Sequence, residues 1–487
     1  MKPNVVRTDK SMSILASQLK HLEAVAEVIT RENENALERL ARWAAHAPAH
    51  SSTAYEWATQ ALIDTMGCMI AGSLHEVSQI VWCSVLGWGV GRSSVVGQNK
   101  KLPAPWAALV NGTAAHALDF NAWTTPTASF TPSSLLAALL AVAEENNRDG
   151  AAVLDAFIVG LEVAMRIGEA VNLHHYNRGW HTTATIDTIG AAAACARLLG
   201  LNEQQIAYAM SIAISRTAGF NSQFGTMTKP LHCGLAAQTG VMAAQLAAGG
   251  LTASLNTLDG KWSVLTLLAG EQARGFAQPL AKLGQTLAID EFGIVFKRYP
   301  SCGNTHRAVD GAIALRERHQ LRLDAIETVE IRIPAPNAAI LVYPDPQSET
   351  EARFSMPYCI ATALHTGNLT PSDFDDDALW RAPVRDVLSR ITLETHSNKT
   401  SDPNLAAQEP ALVTIQLQNG QELHERVDIA IGMPARPFSQ ADLLGKFHNL
   451  ADNICGAAKS KEILALLYEF THEDALSRLM SRLRGTV

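Results

Sequence analysis

The chain has 487 residues, 47% hydrophobic and 18% charged, with a formal net charge of −8. This composition excludes a disordered chain and allows a large buried core in two or three domains. The acidic balance leaves no basic stripe of the kind a nucleic-acid surface needs, although a local group of Lys and Arg can still hold an anion against the global sign.

Residues 1–34 are read as a lead-in. Lys2, Arg7, Lys10 and Lys20 among several Ser residues leave a mitochondrial address as the alternative to a cytoplasmic one, and no apolar stretch with a cleavage site marks a secretory leader. Leu and Ala at helical spacing over 15–46 predict one or two amphipathic helices. Residues 53–72 predict a helix with Thr53 as N-cap and Gly72 at its end, and the next covers about 76–87. GWGVGRSSVVGQNKKLP then breaks the pattern. Its GxGxG follows no strand and lacks a full fingerprint, so it reads as a turn and not as a nucleotide loop.

Residues 103–134, PAPWAALVNGTAAHALDFNAWTTPTASFTPSS, set the character of the chain. Ala and Gly at this density around His116, Asp119, Asn121, Trp123 and a group of Thr and Ser suggest closely packed helices beside a lined cavity. Two helices follow over 133–170, parted by ENNRDG, and 151–170 is apolar nearly all round, as in a buried helix. Gly179 turns the chain before Trp180-His181, and a helix begins near 186. Asn202 with Gln205 has capping-box spacing for a helix to about 215. A long Ala-rich helix over 233–248 ends at Gly249-Gly250. It is too short to read as a membrane span.

After about residue 272 the pattern changes. Residues 326–333 alternate as a half-buried strand ended by Pro334, and 411–417 with 422–427 read as a hairpin across Asn419-Gly420. Helices are predicted at about 305–318, 356–366 and 382–390 within this section, and at 438–451, 459–467 and 472–484 after it. The fold class is therefore mainly α: a helical domain over 35–272, interrupted by a smaller α+β lid domain over 273–433, with 434–487 rejoining the helices. The seven scattered cysteines form no CxxC pair, which points to a reducing compartment with neither a disulfide framework nor a zinc site.

Polar groups collect in four loops: His116, Asp119 and Asn121; Arg178, Trp180 and His181; Lys229 and His232; and Tyr299, Ser301, Cys302, Asn304 and His306. Loops on a rigid scaffold are where function tends to sit. A single loop His is more often an ordinary hydrogen-bonded residue, Asp119 alone could be a helix cap, and Lys229 alone a solvated charge. His174 and His175 adjoin in sequence but would point apart on a helix, so they predict no metal pair.

NGTAAHALDF, NRGWHTT, TKPLH, YPSCGNTH and ARFSMPYC, in this order over about 35–455, resemble the MmgE/PrpD family. The resemblance implies a helical domain with an α+β lid and an active site in the cleft between them. It implies catalytic positions for Asp119, His181, Lys229 and His306, and a mainly structural role for the segment with Ser355 and Tyr358. Where the family pattern continues with acidic residues and a His before Pro-Ser, this chain has Asn121, Ala122 and Thr131. Asn121, Arg178 and Arg298 are candidate substrate-binding residues, the two arginines because a guanidinium clamps a carboxylate with two hydrogen bonds.

Family substrates are citrate-, aconitate- or succinate-like polycarboxylates. Their common step moves a proton at a carbon next to a carboxylate. Such a step needs a base or acid in reach, and donors for the charge that develops. His suits the first need and Lys the second. The reading is a lyase that needs neither cofactor nor metal. Its partner is a small-molecule polycarboxylate, with no nucleic acid and no membrane, and the resemblance implies a homodimer. His181 and His306 are the acid/base candidates, Lys229 the anion stabiliser, and Asp119 an orienter or proton relay. The alternatives are an epimerase using two opposed bases, and a non-catalytic polycarboxylate-binding relative.

Overall fold

The computed structural model describes residues 34–396 and 408–485, so the part of the first predicted helix before residue 34 lies outside the described residues. Helix α1, Ala36–His46, opens with a capping box between Asn35 and Glu38. Helix α2, Ser52–Gly72, is capped by Ser51, not Thr53, and α3 spans Glu76–Val85. The stretch read as a turn holds a two-residue antiparallel ladder, β1 (Ser93–Ser94) with β2 (Lys101–Leu102). The helices α4 (Ala104–His116), α5 (Thr131–Asn146), α6 (Gly150–Val171), α7 (Thr182–Leu198), α8 (Glu203–Ile214) and α9 (Thr228–Ala248) follow. Asn202 and Gln205 form the capping box of α8 that their spacing predicts.

The Ala- and Gly-rich faces let these helices touch backbone to backbone. A methyl group on Gly112 of α4 would stand 2.9 Å from Cα of Gly234 on α9. That close approach brings the last turn of α4, with His116, against the first turn of α9, with Lys229. Helix α9 starts five residues earlier than expected. Pro230 lies in its first turn, where a missing N–H costs no hydrogen bond.

The second domain carries a four-stranded sheet, with α10 (His306–His319), α11 (Met356–Thr366) and a short helix Ala382–Leu388 beside it. Its strands are β3 (Ile326–Pro334), β4 (Ile391–His396), β5 (Ala411–Leu417) and β6 (Glu422–Val427), in the order β4-β3-β5-β6. Strand β4 runs parallel to β3, and the other neighbours are antiparallel. Ile326, Val329, Ile331 and Ile333 of β3 are buried, as the alternation predicts. Strand β4 had no sequence signal: it is an edge strand whose ETH end is half-exposed or exposed.

Helices α12 (Gln440–Cys455), α13 (Ala457–Tyr468) and α14 (Ala475–Leu483) return to the first core, where Leu443, Phe447 and Ala451 join residues of α2. Most apolar residues as far as Phe296 belong to this core, while Phe224 and residues from Tyr299 onward form the second. Along the chain the main change of core falls between Phe296 and Tyr299. Among the described residues no helix is long and apolar enough to cross a membrane.

Candidate active site

A cavity of about 540 Å³ lies between the two cores. Asp119, Ser129, Phe130, His181, Phe224 and Lys229 line it from the helical side. Lys297, Cys302, Asn304, Arg307 and Asn337 line it from the other.

Asp119 follows the end of α4 with φ +48°, in the left-handed region that Asp tolerates better than most residues. Two ammonium groups meet at its Oδ1: Lys229 Nζ at 2.6 Å and Lys297 Nζ at 3.0 Å. All three residues are buried. Burial opposes the Asp119 carboxylate, but Lys229, Lys297 and His116 outweigh it and hold the carboxyl well below its usual range.

The two lysines differ in what they have left to donate. Lys297 also donates to the carbonyls of Asp119 at 2.7 Å and Ser301 at 2.9 Å, so its three hydrogens are committed. Burial brings its ammonium down to about 8, although Asp119 opposes the shift. Lys229 donates to Asp119 and to His116 Nε2 at 2.8 Å, which leaves one hydrogen for a ligand. Around its Nζ stand the rings of Phe130, Phe354 and Phe224, at 4.6, 5.2 and 5.7 Å to their centroids. Lys229, Lys297 and Asp119 thus place two cations and one anion beside aromatic rings, where charge interactions are strong.

His181 caps α7 and lines the cavity. Its Nδ1 lies 2.8 Å from Nδ1 of His232 on α9, so one of the two nitrogens must donate and the other accept. Burial, then the charge of Lys229, holds His181 well below the usual imidazole range and brings His232 to about 4. Both rings are neutral near pH 7, and burial beside Lys229 opposes protonation of His181.

The other predicted residues lie elsewhere. Asn121 stands behind His116: its Oδ1 is 2.7 Å from His116 Nδ1, and its Nδ2 donates to Ser133 Oγ at 2.7 Å. Its amide is committed there and is not presented to the cavity. Arg178 is exposed beside Gly270 and does not line the cavity. Arg298 is exposed and borders a separate depression with Asp310 and Arg436, because Lys297 and Arg298 project to opposite sides of their segment. His306 begins α10 but is also outside the cavity lining. Its Nε2–H donates to the Ser301 carbonyl at 3.3 Å, Tyr299 stacks edge-on to it at 5.2 Å, and burial, then Lys297, brings it down to about 3. Cys302, four residues earlier, lines the cavity in its place, its thiol pushed up to about 11 by burial.

Sequence reasoning missed Lys297 and the ion pair behind it. Lys446 of α12 donates to Asp64 Oδ1 of α2 at 2.6 Å, and to the carbonyls of Phe120 at 2.6 Å and Lys297 at 3.0 Å. Asp64 Oδ2 accepts from Ala122 N at 2.8 Å. This pair ties the Asp119 turn to the Lys297 segment. Neither Lys446 nor Asp64 lies in a motif that marks it in the sequence.

Comparison with known proteins matches most of the chain to two family domains. Residues 38–276 match the MmgE/PrpD N-terminal domain, and 299–469 match the MmgE/PrpD C-terminal domain. The chain belongs to the MmgE/PrpD family. Among its MmgE/PrpD relatives is a cis-aconitate decarboxylase of Homo sapiens, 31% identical over 442 residues, covering 87% of this chain and 89% of that protein. A cis-aconitate decarboxylase of Aspergillus terreus is 27% identical over 418 residues, 82% of this chain and 84% of the relative. A probable 2-methylcitrate dehydratase of Saccharomyces cerevisiae is 24% identical over 441 residues, 82% and 83% of the two chains. Decarboxylases and dehydratases break carbon–carbon and carbon–oxygen bonds, and this MmgE/PrpD protein is a lyase.

Proposed function

We propose that the protein decarboxylates an unsaturated polycarboxylate of the aconitate class, without a cofactor. The observation that carries this reading is the convergence of Lys229 and Lys297 on one oxygen of Asp119, at a cavity wall that also carries the rings of Phe130, Phe224 and Phe354.

The chemistry follows from those parts. A carboxylate on a saturated carbon beside a carbon–carbon double bond leaves as CO₂. Its electron pair shifts the double bond and arrives on the carbon next to a second carboxylate. The third N–H of Lys229 meets that developing charge, while Lys297 and Asp119 hold Lys229 in place. The departing group becomes neutral, so a wall of Phe130, Phe224 and Phe354 favours its release over its retention as an anion. One proton on the carbon completes the sequence. Asp119 orients the cations, and His181 faces the substrate from the start of α7.

The relatives named as cis-aconitate decarboxylases support this choice. Dehydration of a citrate-like acid is the second reading. The relative named as a probable 2-methylcitrate dehydratase supports it. A homodimer in the cytoplasm is proposed with either, and light scattering on the purified protein checks the assembly.

The test is CO₂ release into a sealed headspace from cis-aconitate, citrate and 2-methylcitrate, each with purified protein. Stoichiometric CO₂ from cis-aconitate supports the decarboxylase. Water loss from a citrate without CO₂ supports the second reading. Neither product from any of the three acids overturns both.

A further inference from the structure

Decarboxylation needs a proton donor, and the two lysines and His181 are occupied or unprotonated. His181 is neutral, Lys297 has its hydrogens committed, and Lys229 is the anchor for the developing charge. Behind the cavity wall lies a carboxyl group of another kind. Asp187, on α7, is fully buried. Its Oδ1 accepts from Ser129 Oγ at 2.5 Å and Thr131 Oγ1 at 2.7 Å, and its Oδ2 from Ser134 Oγ at 3.1 Å. Ser129 and Thr131 are themselves 2.9 Å apart. Of these four residues only Ser129 lines the cavity.

The cluster is unlike an ordinary buried ion pair. Among the described residues no Lys, Arg or His forms a salt bridge with Asp187. The hydroxyls come from the segment before α5 and from α5 itself. From α9 the facing group is Cys233, whose Sγ is 3.3 Å from Ser134 Oγ and whose thiol burial pushes up to about 12. It is neutral. An isolated carboxylate is costly to bury, and three neutral hydroxyls offset only part of that cost. Asp119, by contrast, is held ionised by two ammonium groups.

We propose that Asp187 and Ser129 form the proton-delivery relay of this site, with Ser129 the catalytic hydroxyl at the cavity and Asp187 the positioning and proton-supplying residue behind it. When CO₂ has left, the O–H of Ser129 gives its proton to the carbon that holds the electron pair. The same oxygen takes the proton of the Asp187 carboxyl. Asp187 is left as a carboxylate within hydrogen-bond distance of the Ser129, Thr131 and Ser134 hydroxyls, and recovers a proton from water through Ser129. One proton is consumed for each CO₂ released. The proposal rests on the lyase reading and adds the donor to it. Burial brings Asp187 up to about 7, in spite of the three hydroxyls, so the group exchanges its proton near neutrality.

The test uses Asp187→Asn, Ser129→Ala and Ser134→Ala in the full chain, with cis-aconitate as probe. Asp187→Asn keeps the shape of the group but cannot give up an acid proton, and Ser134 touches Asp187 without reaching the cavity. Asp187→Asn and Ser129→Ala should each lower kcat by about 100-fold or more at pH 6, with KM little changed. The fall in kcat/KM as pH rises through about 7 should persist in Ser134→Ala and vanish from the residual activity of Asp187→Asn. A kcat within about threefold of the parent in both Asp187→Asn and Ser129→Ala would overturn the relay. If Asp187→Asn does not fold, the contrast between Ser129→Ala and Ser134→Ala decides.

A second measurement needs no turnover. Infrared spectra of the parent should contain a buried carboxyl band that disappears as pH rises through about 7 and is absent from Asp187→Asn. The band should respond to tricarballylate, a saturated tricarboxylate, in the parent but not in Ser129→Ala. If the parent turns over none of the three acids, the lyase reading fails. The coupling between Asp187 and a cavity ligand then stands or falls on this band, and a band that is missing or indifferent to the ligand overturns it.

Discussion

The ammonium of Lys229 lies 2.8 Å from Nε2 of His116. An ammonium has only hydrogens to offer, so Nε2 accepts, and the proton of the neutral imidazole is on Nδ1. Nδ1–H then donates to Asn121 Oδ1, and Asn121 Nδ2 donates to Ser133. Every orientation in this chain of groups follows from the charge of Lys229. Burial and the charge of Lys229 keep the imidazole of His116 well below its usual range, so it stays neutral and does not repel its partner.

The first expectation concerns that chain. Asn121→Leu leaves the buried N–H of His116 without an acceptor and Ser133 without a donor. It should lower stability by about 1–3 kcal/mol in denaturant unfolding. Turnover should fall with it, because Lys229 loses its fixed neighbour. An unchanged midpoint and rate would mean that the imidazole has found another partner.

Lys229→Ala should abolish measurable turnover while the protein remains folded by circular dichroism. Losing one donor aimed at a developing anion commonly costs 10²- to 10³-fold, and here the donor is charged. Normal turnover in this variant would remove Lys229 from the mechanism.

Asp119→Asn should act on stability as well as on rate. It leaves Lys229 and Lys297 buried without their shared anion, and should cost about 3–5 kcal/mol. Adding Lys297→Met should restore part of that loss, which a double-mutant cycle measures. The pH sign follows from the depressed carboxyl: its stabilisation is present above the ordinary value of 3.8 and is lost as pH falls towards the folded-state value. Acid unfolding of Asp119→Asn should therefore be shallower than that of the parent.

Asp187 has the opposite sign. Its folded-state value is raised from 3.8 to about 7, so the contribution is full below 3.8 and is lost as pH rises through 7. The loss is on the order of 4 kcal/mol across that window. Asp187→Asn should flatten the decline in thermal midpoint between pH 5 and pH 8, read by calorimetry in this range about the value of about 7.

Much of the fold was legible because the helices carry their own punctuation. Asn202 and Gln205 announced α8, and the alternation of Val329, Ile331 and Ile333 announced β3. What failed to show had physical reasons. Strand β4 presents few apolar residues because it is an edge. The start of α9 was hidden by Pro230, which is harmless in a first turn but reads as a breaker. In the site, Asp119, His181 and Lys229 were marked by their loops and motifs, and all three line one cavity. Lys297 was not, since only the backbone path decides that it turns inward and Arg298 outward. The same holds for Cys302 and His306, where the turn entering α10 brings the thiol to the cavity and sends the imidazole behind it. Asp187 had no signal: one acid in an Ala-rich helix reads as a surface position until Ser129, Thr131 and Ser134 are seen around it.

The most direct test is proton NMR of cis-aconitate with purified protein in heavy water. The account predicts loss of the substrate's alkene signal and growth of a new terminal alkene, with one deuterium on the adjoining saturated carbon and one CO₂ released. Cis-aconitate that persists unchanged, or that exchanges a proton for deuterium while keeping all of its carboxylates, would contradict it.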